Sequence, residues 1–426
     1  IGSGVGIRVL KSDVKKLPKV RTDVKIIHES YFPVPKDERE DLTSINFEKD
    51  TAHISVGDSK EGWVQSLDYL LSIFYKKEFR EVKTIIFNYN YVRPKGEKLK
   101  TFGGTASGYK SLEMMFTKIG KIIKKDCFSR LKKLRPVDCM DIANIIGQNV
   151  VVGGVRRTSE VVLFDKDDQD ILNAKNNLYE QIEGKWVKNK EIDFREMSNN
   201  SIYYTSKPSK EQLSWQIEQM RYSGEPGFMN AEAAAKRRPY LEGANPCMEV
   251  LLDREQMCNL TTVNVMGFVY EGKLNQKALF EAQKLSLRAS FRMTFLDLEL
   301  DQWDVKQKRD RLVGCSLTGW QDMVNATGLN SEEESQLRQK LHNITHEEAE
   351  VYARKLGVEK PLLMTTIKPE GTLTQLPTVS SGVHYSHSPY YLRRVRINAS
   401  DPLLKVCKEL GYDIKPENGQ TEENCR

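Results

Sequence analysis

Residues 243–265 read GANPCMEVLLDREQMCNLTTVNV. Pro246 holds the chain extended or turned just before Cys247. Cys247 and Glu249 are two residues apart, so an extended segment points both side chains to one face. Cys258 follows on a second short polar stretch beside Asn259. Asn245, Cys247, Glu249 and Cys258 can therefore converge on one pocket. A thiol and a carboxylate can act as hydrogen-atom acceptor and general base, and a second thiol can supply reducing equivalents if it has a partner. The competing reading makes Cys247 and Cys258 small buried apolar residues, the usual fate of free cysteine. A cysteine-protease reading needs a base paired with the thiol. His384 and His387 are the candidates, but no protease signature surrounds Cys247.

Outward from this stretch, helical and strand-like patterns alternate. Gly-rich residues 1–10 lead into a short β-like run. Residues 11–60 are polar and read as loops with short elements. Trp63, Leu67, Leu70, Leu71 and Phe74 recur at helical spacing over 61–75, and KTIIFNYNYV (83–92) reads as a strand. FGGTASG (102–108) is either a phosphate-cradling loop or a flexible turn before a helix over 112–123. Pro136 opens another helix through Ile146. Gly153-Gly154 and Arg156-Arg157 precede a strand over 160–164, and the paired arginines suit either a nucleotide or a solvated face. Residues 166–196 are a polar connection. Helices are expected over 212–222, 279–295 and 333–355, and a buried strand over 362–367 leads into the Gly371 loop. This alternation predicts an α/β fold with a largely parallel sheet.

The 426 residues allow one large core or two domains. Hydrophobic residues make up 39% and charged residues 29%, the balance of an ordinary globular protein. A net charge of +6 from 65 basic and 59 acidic residues suits anionic small ligands and does not argue for a nucleic-acid partner. No apolar run approaches the roughly 18 residues of a membrane span, and no signal peptide opens the chain. Seven cysteines without framework spacing read as the thiols of a cytoplasmic protein. The absence of CxxC and HExxH leaves no metal site to expect. Ile1 at the start and Cys425-Arg426 at the end read as cuts through a longer protein.

The segment Asn245-Pro246-Cys247-Met248-Glu249, with Cys258-Asn259-Leu260 beyond it, resembles the finger-loop motif of ribonucleotide reductases. More specifically, the chain resembles the monomeric, adenosylcobalamin-dependent (class II) ribonucleoside-triphosphate reductases. Asp58 to Trp63, Arg93-Pro94, Phe102 to Gly108, Val155 to Arg157, Ser198 to Ser201, Gly224 to Gly227, Lys368 to Thr372 and Asp401 to Leu404 support the likeness in order. The resemblance implies a ten-stranded α/β barrel with a central finger loop, incomplete in this chain. It places the barrel start at 1–11, an insertion or effector-binding region at 12–110, and the catalytic barrel at 111–426 with the finger loop at 245–258.

The resemblance also implies roles. Cys247 becomes a thiyl radical and takes the ribose 3′ hydrogen. Glu249 removes the 3′-hydroxyl proton, Asn245 hydrogen-bonds the ribose hydroxyls, and Cys258 is one of two reducing thiols. The loop Glu370-Gly371-Thr372-Leu373 matches the substrate-phosphate site, where Gly371 lets backbone N–H groups approach. A plain strand-to-helix turn is the alternative, and Lys368 with Arg393-Arg394 adds positive charge or stays solvated. The implied cofactor is adenosylcobalamin, whose contacts fall mostly outside this chain. The implied partners are a ribonucleotide substrate, a deoxynucleotide effector, and thioredoxin or another dithiol, acting on a monomer.

Two departures stand against the likeness. No cysteine precedes Cys127, so Cys258 has no identifiable disulfide partner, since Cys127 and Cys139 do not match that motif. The C-terminal cysteine pair of the family is also missing, and Cys425 lies in another context. Two rivals remain. One is the same chemistry with the radical supplied by a separate metal-containing subunit. The other is a non-catalytic nucleotide-binding barrel fragment.

Overall fold

The computed structural model describes residues 4–99, 105–152, 155–156, 158–386, 388, 390–392, 394–395, 397 and 402–416, with backbone alone at 151, 152, 155, 156, 185, 222 and 223. Phe102 to Gly104, Gly153-Gly154, Arg157, His387, Arg393, Asp401 and Cys425 lie outside the described residues. The chain forms two units, residues 1–230 with 394–426, and residues 231–393.

In the first unit, β1 (Gly4–Arg8) is followed by a small mixed sheet. Its strands are β2 (Lys25–His28), β3 (Ser44–Glu48), β4 (Thr51–Ser55) and, after α1 (Lys60–Tyr75), β5 (Thr84–Asn88). They lie in the order β2-β5-β4-β3, parallel except for the β3–β4 hairpin. The polar stretch read as loops with short elements thus supplies three of the four strands of this sheet. Each buries so few side chains, such as Ala52 and Ile54 in β4, that no period emerges from the sequence. Ser59 caps α1 by accepting from the Gly62 N–H. α2 (Lys110–Lys124) buries Leu112, Met115, Phe116, Ile119 and Ile123 along one face. Phe116 stacks on Phe87 of β5 at 4.3 Å.

The same unit carries α3 (Pro136–Asn149), which starts on its proline as expected, and β6 (Ser159–Phe164). A hairpin, β7 (Tyr179–Ile182) with β8 (Lys185–Lys188), occupies the polar connection. β9 (Ser198–Tyr204), α4 (Lys210–Ser223) and β10 (Gly227–Asn230) complete it. β1, β6, β9 and β10 form an all-parallel sheet in that order. Val161 through Phe164 are wholly buried, the continuous apolar run that a parallel strand covered on both faces requires.

The second unit holds residues 243–265. β11 (Gly243–Ala244) and β12 (Leu251–Leu252) pair antiparallel. β13 (Asn259–Asn264) follows, then α5 (Gln276–Met293), α6 (Asp301–Asp310) and β14 (Val313–Thr318). β13 and β14 run parallel from Asn259↔Val313 to Asn264↔Thr318. α5 packs on both strands, and after α7 (Trp320–Thr327) the long α8 (Ser331–Leu356) packs on α5, opening on a capping box of Asn330 and Glu333. Trp320 is fully buried, and its indole N–H donates to Glu334 Oε2 at 2.8 Å. Trp320→Ala is expected to destabilise this unit by about 3–5 kcal/mol. Urea unfolding checks this, and a loss of well under 1 kcal/mol would contradict the packing.

The strand expected over 362–367 is only partly formed. Cys315 N–H donates to Met364 O at 2.9 Å and Thr366 N–H to Cys315 O at 3.2 Å, but Val313 N–H reaches Leu363 O, one residue out of step. Two residues of β14 are thus spanned by one of the segment, and the ladder breaks at this bulge. Leu362 and Ile367 are exposed. Among the described residues, no helix is long and apolar enough to cross a membrane, and no group of three or more His, Cys, Asp or Glu is placed to hold a metal.

Candidate active site

β11 and β12 are the two sides of a finger whose tip is Asn245 to Val250. The tip closes on itself. Met248 N–H donates to Asn245 O at 2.8 Å, and Val250 N–H donates to Asn245 Oδ1 at 3.0 Å. Met248 takes a left-handed φ of 61°, a conformation uncommon outside glycine that a tight turn over-determines. Pro246 is buried and Cys247 exposed, so the turn anchors on the proline and presents the thiol.

Asn245 Nδ2 donates to Glu249 Oε2 at 2.6 Å. The amide therefore fixes the direction of the carboxylate and leaves it an acceptor. The Glu249 carbonyl accepts from Thr366 Oγ1 at 2.7 Å, which ties the tip to the segment after β14. Desolvation at the fingertip, then the negative charge of Glu249, push the Cys247 thiol above the ordinary cysteine value, with Lys368 pulling the other way. A thiol held protonated beside a carboxylate is poorly suited to nucleophilic attack, which needs the thiolate. It is suited to giving up a hydrogen atom. His384 Nδ1 lies 3.3 Å from Ser381 O, a contact that does not serve Cys247 as a base.

Cys258 lies just before β13. Burial, and then the neighbouring Cys315 and Glu249, push its thiol up to about 12. Only on the order of a thousandth of Cys258 is thiolate at pH 9. Iodoacetamide labelling at that pH is therefore expected to be at least a hundredfold slower at Cys258 than at a free thiol; equal rates would contradict its enclosure. Cys315, buried in β14, pairs in register with Thr261. That is three residues along from Cys258, roughly 10 Å at strand rise, beyond the Cα separation a disulfide spans. Cys315 is thus not the bridging partner of Cys258.

The loop after residue 367 crosses the same two strands. Lys368 N–H donates to Ser316 Oγ at 3.1 Å. Lys368 Nζ lies 3.2 Å from both Thr262 Oγ1 and Glu370 Oε1, and Thr262 Oγ1 donates to Glu370 Oε1 at 2.5 Å. The Glu370 side chain is thus turned inward and buried, while Thr372 and Leu373 are exposed. The left-handed φ in this loop belongs to Glu370, at 52°, and not to Gly371. Sequence reasoning missed Thr262, Ser316 and Thr366. Each is a hydroxyl to which its local sequence assigns no role, and only the tertiary pairing gives it a partner.

A family model for the barrel domain of ribonucleotide reductase matches residues 175–365, and a model for the insertion domain of B12-dependent ribonucleotide reductase matches residues 30–123. The chain belongs to the ribonucleotide reductases. It is 30% identical to the adenosylcobalamin-dependent ribonucleoside-triphosphate reductase of Lactobacillus acidophilus, over 98% of this chain and 59% of that protein. The enzymes of that name from Lactobacillus leichmannii and Levilactobacillus brevis are 28% and 27% identical, over 98% of this chain and 60% and 59% of theirs. The crystal structure of a B12-dependent class II ribonucleotide reductase superposes with a TM-score of 0.78 at 25% identity, over 99% of this chain and 61% of that one. This ribonucleotide reductase chain thus spans about three fifths of the length of the relatives it matches. The α/β barrel type read from the sequence agrees with both the barrel model and the superposition.

Proposed function

We propose that the protein reduces ribonucleotides, as triphosphates, to 2′-deoxyribonucleotides by thiyl-radical chemistry at Cys247. The observation that carries this reading is the fingertip itself. An exposed, protonated thiol sits two residues from a carboxylate whose direction an amide fixes at 2.6 Å. The likeness to named ribonucleoside-triphosphate reductases along almost the whole chain supports it.

Each residue has one task. The Cys247 sulfur, once it has lost its hydrogen, takes the hydrogen from the ribose 3′ carbon and later returns one. Glu249 accepts the 3′-hydroxyl proton while the 2′-hydroxyl leaves as water. Asn245 bonds the ribose hydroxyls as well as Glu249. Cys258 supplies one thiol hydrogen and a thiol of the dithiol reductant the other, so the sugar is reduced as the two sulfurs join in a disulfide. The Glu370 to Leu373 loop receives the phosphates beside its exposed Thr372 and Leu373, with Glu370 holding Lys368.

Adenosylcobalamin, when bound, supplies the radical that Cys247 receives. An accessible S–H at a loop tip fits an acceptor of hydrogen atoms. The region 12–110 would hold a deoxynucleotide effector, in line with the insertion-domain match, and thioredoxin or a similar dithiol would restore the thiols of a monomeric enzyme.

The test is to incubate the protein with ribonucleoside triphosphate and a dithiol, with and without adenosylcobalamin, and to measure deoxynucleotide. Product that requires adenosylcobalamin is expected. Product only with a separate metal-containing subunit would refute the cofactor, and nucleotide binding without product in either case would leave a binding fragment.

A further inference from the structure

Arg238 has no part in the chemistry above, yet it is wholly buried. A guanidinium is costly there unless its charge is matched and its donors are used. Its Nε donates to the Leu251 carbonyl at 3.3 Å and its Nη1 to the Pro239 carbonyl at 2.6 Å. Its Nη2 donates to Gln256 Oε1 at 2.6 Å and to Asp310 Oδ2 at 2.7 Å. Gln256 Nε2 donates to the same Asp310 oxygen at 2.6 Å, and Gln256 Oε1 also accepts from the Asp253 N–H at 2.9 Å. Arg309 closes the group, with Nη2 at 2.6 Å from Asp310 Oδ2 and 2.9 Å from Asp253 Oδ2. Lys306 Nζ lies 3.5 Å from Asp253 Oδ1, so three cations share the carboxylates of Asp253 and Asp310.

The chain segments that end in this knot are those that carry the site. Leu251 lies two residues after Glu249. Gln256 lies two residues before Cys258. The Asp310 carbonyl accepts from Leu362 N–H at 2.9 Å, where the segment begins whose Thr366 holds Glu249. We infer that Arg238 is a positioning residue that fixes the Cys247–Glu249 arm relative to Cys258. The inference rests on the proposed reaction, because only there must both arms reach one sugar. Apolar residues of similar volume often stabilise a core as well as a buried ion pair does. A planar fork with fixed donor directions does what they cannot, which is to set the angle between two loops.

The test compares Arg238→Lys and Gln256→Met with the unmodified protein, by native alkylation of Cys247, Cys258 and Cys315 read by mass spectrometry. Cys315, 2% exposed in β14, reports unfolding. Cys258 is expected to label at least tenfold faster in each variant, with Cys247 within twofold and Cys315 unchanged. In turnover, kcat should fall about tenfold or more with KM within twofold, as for a misplaced reacting group. If Arg238→Lys also exposes Cys315, it has unfolded, and Gln256→Met, which keeps the Arg238–Asp310 pair, decides. Unchanged Cys258 labelling in a folded variant overturns the inference. Labelling needs no turnover, so an unmodified protein that makes no deoxynucleotide defeats the proposed reaction separately.

Discussion

Cys247→Ser is expected to abolish deoxynucleotide formation, with a loss beyond about a thousandfold, while ribonucleotide affinity stays within a few fold. The substitution keeps the size and the exposure at the fingertip, and none of the bonds that close the turn uses the sulfur. Met248 N–H, Val250 N–H and Asn245 Nδ2 make them instead. What changes is the strength of the bond to hydrogen. An alcohol O–H is too strong to be broken and remade in the cycle, and a thiol S–H is not. Deoxynucleotide formation and equilibrium nucleotide binding, measured on the same preparation, check this. Activity within tenfold of the unmodified protein would remove Cys247 from the chemistry.

Glu249→Gln is expected to lower kcat by about a hundredfold to ten-thousandfold, the usual worth of a placed general base, with KM little changed. Glutamine keeps the length and can still accept from Asn245 Nδ2, and the backbone bond from Thr366 Oγ1 to residue 249 is untouched. The amide cannot take the 3′-hydroxyl proton. A parallel fall in nucleotide affinity would mean that Glu249 binds substrate and does not act as base. The same substitution removes the negative charge that helps to raise the Cys247 thiol, so the Cys247 alkylation profile should move to lower pH.

Much of this was legible in the chain. The continuous apolar run at Val161 to Phe164 and the helical spacing of Leu112 through Ile123 are local patterns, and both gave elements close to those observed. The Cys-x-Glu spacing points to an extended segment with both side chains on one face, whereas Cys247 and Glu249 sit on a tight turn with Met248 between them at a left-handed φ. In the stretch read as loops with short elements, the individual strands β2 to β4 are not legible, because so few buried side chains in each cannot set a period. The 362–367 strand was overread because a one-residue slip against β14 leaves no mark in its composition. The ties that hold the site were not readable at all. Thr366 reaches Glu249 across 117 residues and Thr262 reaches Glu370 across 108. Arg238, in a run of basic residues before Pro239, looks like solvated surface until Asp310, 72 residues on, closes over it.

The proposed reaction requires Cys247 to carry the radical. Freeze-quenched electron paramagnetic resonance during turnover, with cysteine deuterated at Cβ, tests this directly, because the Cβ hydrogens of a thiyl radical split its signal. The signal is expected to narrow with the labelled cysteine and to be absent in Cys247→Ser. An unchanged organic radical signal in Cys247→Ser would contradict the account.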